Sequence, residues 1–194
     1  MYKFQCFFAV PLFLAAGLCQ AQAIDRLTMG HTPESEAVRT MQGIVAAVGD
    51  GARLELRPGG DYGTQAVVVR AFALPLGELQ ANVALIATTG GKATYARYVI
   101  RREHLPAALK LLQGRWPAHV NVASDEAGVN DVFFVSPLNA AWVHLGTGSE
   151  YFGEVVITTH AKLRDILAAQ NRIDDWWPEI EDAIAKSARS SSKR

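Results

Sequence analysis

The sequence predicts a single α+β domain, built on a mainly antiparallel or mixed sheet with helices near the N- and C-terminal ends. Three observations lead there. Apolar residues recur with a period of two through the middle of the chain, and the runs are separated by short glycine-rich turns. Helical spacing of apolar residues is concentrated toward the ends. The length, 194 residues, suits one core rather than two lobes. With 49% hydrophobic and 20% charged residues, the chain is too apolar to be intrinsically disordered. Its 19 basic and 19 acidic residues balance, which gives no general attraction to nucleic acid or to an acidic membrane.

Residues 1–23 read as a secretory signal peptide. Lys3 supplies the positive start, an apolar run follows from Phe7, and Ala21-Gln22-Ala23 is a small-residue cleavage signal. The apolar run is shorter than the roughly 20 residues needed to span a bilayer, so no stable membrane span is expected. Cleavage places the mature start at Ile24 and the protein in the periplasm or outside the cell. Both cysteines, Cys6 and Cys19, fall in the removed segment. A cysteine-free mature chain has no disulfide, no cysteine-ligated zinc and no thiol nucleophile. The globular domain is expected over 24–186, followed by a basic, serine-rich tail over 187–194.

The elements follow in order. Leu27-Thr28-Met29 is a short apolar segment stopped by Gly30. A helix opens after it, with Thr32 as the expected N-cap, Pro33 at the first helical position and Glu34 and Glu36 in the first turn. Val38, Met41, Ile44, Val45 and Val48 form its apolar side, and Gly49-Asp50-Gly51 ends it. Arg53-Leu54-Glu55-Leu56-Arg57 alternates as a half-buried strand does. A strand over 65–73 follows a turn-rich loop. The strands around Leu85 and Tyr98 flank Thr89-Gly90-Gly91-Lys92, a hairpin signal. Leu105, Leu109 and Leu112 mark a helix that tolerates Pro106 only in its first turn. Strands are expected near 120–122, 131–135, 140–145 and 151–158. A helix capped by Thr159 carries Leu163, Ile166 and Leu167, and a last short helix begins near Pro178. No internal repeat is evident. Short turns between consecutive strands favour antiparallel pairing with helices on one sheet face. The opening strand–helix–strand over 27–56 favours instead a parallel crossover, hence the mixed alternative.

Residues 27–63, with Met29-Gly30-His31, the helix after Pro33, Gly51-Ala52-Arg53-Leu54-Glu55-Leu56 and Pro58-Gly59-Gly60-Asp61-Tyr62-Gly63, resemble the start of periplasmic solute-binding proteins of the TRAP-transporter type. The resemblance spans under a quarter of the chain and ends where the hairpins begin. It implies ligand binding in the periplasm and assigns no individual residue.

Two glycine-rich segments look like nucleotide loops and do not fit. Gly146-Thr147-Gly148-Ser149-Glu150-Tyr151-Phe152-Gly153 has its third glycine displaced from G-x-G-x-x-G and runs on into a strand. Thr88-Thr89-Gly90-Gly91-Lys92 lacks the first glycine and the final hydroxyl of a phosphate loop. The five histidines, His31, His104, His119, His144 and His160, show no metal-ligand spacing, so no metal and no cofactor are expected. Trp142 and His144 alternate on one strand face, where a ligand contact on an open sheet surface competes with ordinary packing. Trp176 and Trp177 precede Pro178 amid Asp174, Asp175, Glu179, Glu181 and Asp182. One ring is expected to pack inward and the other to face a partner.

These readings give an exported binding or accessory protein whose partner is a small-molecule ligand or another protein, with no nucleic acid. Contact residues are expected among Trp142, His144, Ser149, Glu150, Trp176 and Trp177. The competing reading is a small exported hydrolase with a His–carboxylate site and Ser149 as nucleophile. An inhibitor or immunity-type protein is a third.

Overall fold

A computed structural model describes residues 27–76, 79–116, 118–123, 130–144 and 151–191. The expected signal peptide lies outside these residues. The elements are α1 (Glu34–Val48), β1 (Arg53–Pro58), β2 (Gln65–Leu76), β3 (Leu79–Thr89), β4 (Lys92–Arg101), α2 (Leu105–Arg115), β5 (Ala118–Ala123), β6 (Asn130–Val135), β7 (Asn139–His144), β8 (Phe152–Thr159), α3 (His160–Ala169) and α4 (Ile173–Ser191).

The strands form one sheet in the order β1-β2-β3-β4-β8-β7-β6-β5, and every pairing is antiparallel. The single α+β domain is as the sequence predicts, and the mixed-sheet alternative falls. Two four-stranded meanders meet at the β4–β8 seam. Each is preceded by one helix, so the chain runs through the same helix-plus-meander plan twice without a repeat in its sequence.

The parallel crossover fails at its first strand. Leu27 and Met29 are buried but form no strand. The Asn139 side chain does what a neighbouring strand would do for Met29, accepting from its N–H at 3.2 Å and donating to its carbonyl at 2.9 Å. The segment then docks on the β3–β4 hairpin, with Gly30 N–H donating to the Ala93 carbonyl at 2.7 Å and Ala93 N–H to the Thr32 carbonyl at 2.8 Å. Helix α1 starts one residue later than expected. Pro33, extended at φ −62° and ψ 150°, takes the cap position. The Thr32 hydroxyl is occupied elsewhere, accepting from the Thr28 N–H at 2.9 Å.

Helices cover both faces of the sheet, not one. On the first face, α1 and α2 pack Ala37, Met41, Ile44, Leu105 and Leu112 on Val67, Ile86, Tyr98, Val143 and Ile157. On the second face, α3 and α4 pack Leu163, Leu167, Trp176 and Ile180 with Phe133, Val135, Trp142 and Val156. Unbroken apolar runs explain this: β6, β7 and β8 are apolar at successive positions and so on both sides, as strands in the middle layer of three must be. Edge strand β1 has a neighbour on one side only among the described residues. Leu54 is half-buried beside α1, whereas Leu56 stays 66% exposed.

The expected hairpin loop is present. Gly90 and Gly91 adopt φ +59° and +73°, the left-handed conformations that a two-residue loop of this kind requires. Gly153 in β8 has a different reason. A Cβ there would meet the Leu105 methyls at 2.7 and 2.8 Å, so the missing side chain is what lets α2 seat on the sheet.

Thr159 caps α3 as expected, its hydroxyl accepting from the Lys162 N–H at 3.2 Å. Helix α4 begins five residues before the expected start. Asp174 and Asp175 therefore lie inside its first turn, where they complement the helix dipole. Pro178 sits on its exposed side and forgoes the bond to the Asp174 carbonyl. The helix continues to Ser191, into the region expected as a tail. The Ser190 and Ser191 hydroxyls donate to the Ser187 carbonyl at 2.8 and 3.1 Å.

Candidate functional site

The antiparallel registers bring four ionisable side chains into a row across the second face. Glu154 on β8 stands directly opposite His144 on β7, and Val99, two residues from Arg97 on β4, stands opposite Glu154 on the other side. Arg97 reaches diagonally to Glu154. Its Nε donates to Oε2 at 2.9 Å and its Nη2 to Oε1, giving a two-pronged guanidinium–carboxylate pair. That pair raises the guanidinium pKa further above its ordinary value, so Arg97 is a fixed positive charge.

The other half of the row is a histidine–aspartate pair. His144 Nδ1 lies 2.6 Å from Asp131 Oδ1 on β6. The Asp131 side chain is fully buried, while the imidazole is 27% exposed. The second carboxylate oxygen, Oδ2, is buried and has no hydrogen-bond partner among the described residues. A carboxylate held this way orients the ring, which stays partly exposed.

Aromatic packing fixes the pair from below. The Trp142 ring meets the His144 ring edge-on at 5.5 Å and stacks on Phe133 at 5.4 Å. Trp176, delivered by α4, closes the cluster at 5.8 Å from Phe133 and 6.3 Å from Trp142. Farther along the same face, Tyr62 stacks on Tyr95 at 4.7 Å. Burial pushes the Tyr95 hydroxyl pKa far above its ordinary value. Lys162 of α3 donates to the Asp61 carbonyl and ties the loop bearing Tyr62 to the helix.

The structure thus brings together Trp142, His144 and Trp176 from the residues singled out in the sequence. Trp142 and Trp176 are each only 7% exposed and act as walls behind the histidine. The open sheet face expected at Trp142 is covered by α4. Trp177 is half-buried on α4, with the Arg164 guanidinium 5.8 Å from its ring centre. Ser149 and Glu150 lie outside the described residues. No family model, curated protein or solved structure matches the chain.

Asp131, Glu154 and Arg97 escaped the sequence reading. The signal for Asp131 is its phase: it precedes Phe133 and Val135 at spacing two, a lone acid on an apolar face. Pairing β6 with β7 across the short turn at Ser136 then sets it beside His144. Among the described residues no three His, Cys, Asp or Glu side chains converge to hold a metal ion. No helix among them is long and apolar enough to cross a membrane.

His160, at the start of α3, adds a pH-dependent element outside the row. Burial lowers its pKa, with the neighbouring Asn139 and Ser136 backbone opposing in part. The unfolded chain binds a proton near pH 6.5 that the folded chain accepts only at lower pH. Stability should therefore fall as pH drops below about 7, and the loss should level off once the folded ring also protonates. Melting curves across that range should be flatter for His160→Gln than for the wild type.

Proposed function

We propose that this chain is an exported binding or accessory protein, periplasmic or secreted, that engages a small ligand or a protein without a cofactor. The contact point is the row Arg97, Glu154, His144 and Asp131. One observation carries the reading: a fully buried carboxylate bonded to a partly exposed histidine where β6 and β7 meet at their ends. Apolar residues would fill that position at less cost, since taking a carboxylate out of water costs several kcal/mol. Groups placed at such cost cluster at functional sites. The row exposes part of a guanidinium, one carboxylate and an imidazole, which suits a ligand with both donors and acceptors. The signal-like residues 1–23 support export.

The same pair favours a second reading. An imidazole oriented through Nδ1 by a buried carboxylate is the arrangement of a general base. A hydrolase needs a nucleophile as well, and Ser149 is the candidate.

Thermal-shift screening against amino acids, carboxylates, sugars and polyamines, with p-nitrophenyl acetate turnover measured in parallel, separates the two. Binding predicts stabilisation of the wild type by one of these classes, lost in His144→Gln, with no ester turnover. Ester turnover abolished by His144→Gln, with no stabilising compound, would replace binding by hydrolysis.

A further inference from the structure

The two ends of the sheet are built differently. Strand β1 carries Arg53, Glu55, Arg57 and Pro58, the charges and proline that discourage pairing at an exposed edge. Strand β5, the opposite end, reads Ala-His-Val-Asn-Val-Ala and carries no Lys, Arg, Asp, Glu or Pro. Beside it runs α4. Strand and helix enclose an open groove of about 580 Å³, lined by residues 118–121 and by Glu179, Asp182, Ala183 and Lys186. His119 and Asn121 are exposed at the edge, their side chains on the face away from α4, where His119 meets Phe134 at 5.8 Å.

The charge on α4 is polarised along its length. Asp174, Asp175, Glu179, Glu181 and Asp182 occupy its first half, and Lys186 and Arg189 its second. Within the groove, acid therefore lies at one end and base at the other. Lys186 already reaches Asp182 at 2.5 Å in its own helix, on the exposed side.

We infer that β5 and the groove side of α4 form a two-fold interface with a second copy of this chain. A strand edge without charge pairs readily with itself when antiparallel, and two-fold dimers are the commonest assemblies. A two-fold axis normal to the sheet joins β5 to its copy and continues the sheet from one protomer into the next. The same axis lays α4 antiparallel to its copy on the same face. The acidic half of each helix then faces the basic half of the other, with Glu179 opposite the copy's lysine at 186. A parallel arrangement would set acid against acid and is excluded by that charge pattern.

Sedimentation equilibrium of the purified protein tests this. The expected result is a reversible monomer–dimer equilibrium. Asn121→Lys, which puts a charge on the edge, should weaken it about tenfold or more. Glu179→Lys and Lys186→Glu should each weaken it, and combining them should restore it, because the charges are then exchanged rather than mismatched. These positions are exposed, so far-UV circular dichroism and melting temperature serve as folding controls. A monomer at all concentrations up to about 100 μM overturns the inference, as does a dimer that neither Asn121→Lys nor Glu179→Lys weakens. Failure of the double exchange to restore association overturns the antiparallel helix pairing.

Discussion

Trp176→Ala should cost about 3–5 kcal/mol, the usual range for removing a buried aromatic, and lower the melting temperature by roughly 10 °C. The ring is 7% exposed and holds Phe133 and Trp142 together across the sheet–helix boundary. The Arg172 guanidinium also sits 5.1 Å from its centre. Trp177→Ala should cost about 1 kcal/mol, because that ring is half-buried and keeps one arginine contact. Their difference follows from the helix. Successive residues on α4 point about 100° apart, so neighbouring tryptophans cannot share the buried side. Thermal and urea unfolding of the two single variants measures the contrast. Equal losses would contradict the orientation given to α4.

His144→Ala should be nearly as damaging, about 3–5 kcal/mol, although the histidine is partly exposed. The cost arises at Asp131, whose fully buried carboxylate loses the hydrogen bond at 2.6 Å. His144→Gln keeps a donor within reach and should recover part of the loss. Asp131→Asn should cost less, about 1.5–3 kcal/mol, since it weakens a charge-assisted bond without stranding a buried carboxylate. A His144→Ala variant as stable as the wild type would mean that the carboxylate finds another partner.

The legible parts of the fold were those governed by local rules. The paired glycines at 90 and 91 announce a hairpin, Thr159 announces a helix, and Pro106 fits only a first helical turn. The short apolar runs in 131–135 and 140–144, rich in valine and aromatic residues, announce strands. What stayed hidden depends on distant partners. The residues around Leu27 look like a strand, yet the side chain that satisfies Met29 is Asn139, 110 positions away. The start of α4 was obscured by Pro178, which marks a helix beginning in most contexts and here lies within the helix on its solvent side. Coverage of both sheet faces was hidden because a short, wholly apolar run shows that a strand is buried, not which helices bury it.

The candidate site divides along the same line. His144 and Trp142 stand out within one strand as a polar–aromatic pair. Asp131, Glu154 and Arg97 come from three other strands, and only the registers β4–β8, β8–β7 and β7–β6 align them. A register shifted by one residue would send each to the opposite face. The row is therefore a property of the topology.

On the proposed reading, the Asp131–His144 pair serves binding and not stability. Replacing both groups together, Asp131→Leu with His144→Leu, tests it most directly. Removing the pair as a unit strands no buried carboxylate, and such replacements are commonly neutral or stabilising. A pair kept for binding gives a double variant that melts at or above the wild type and loses every ligand-induced thermal shift. A double variant that melts as low as His144→Ala, or that still responds to the same ligands, would contradict it.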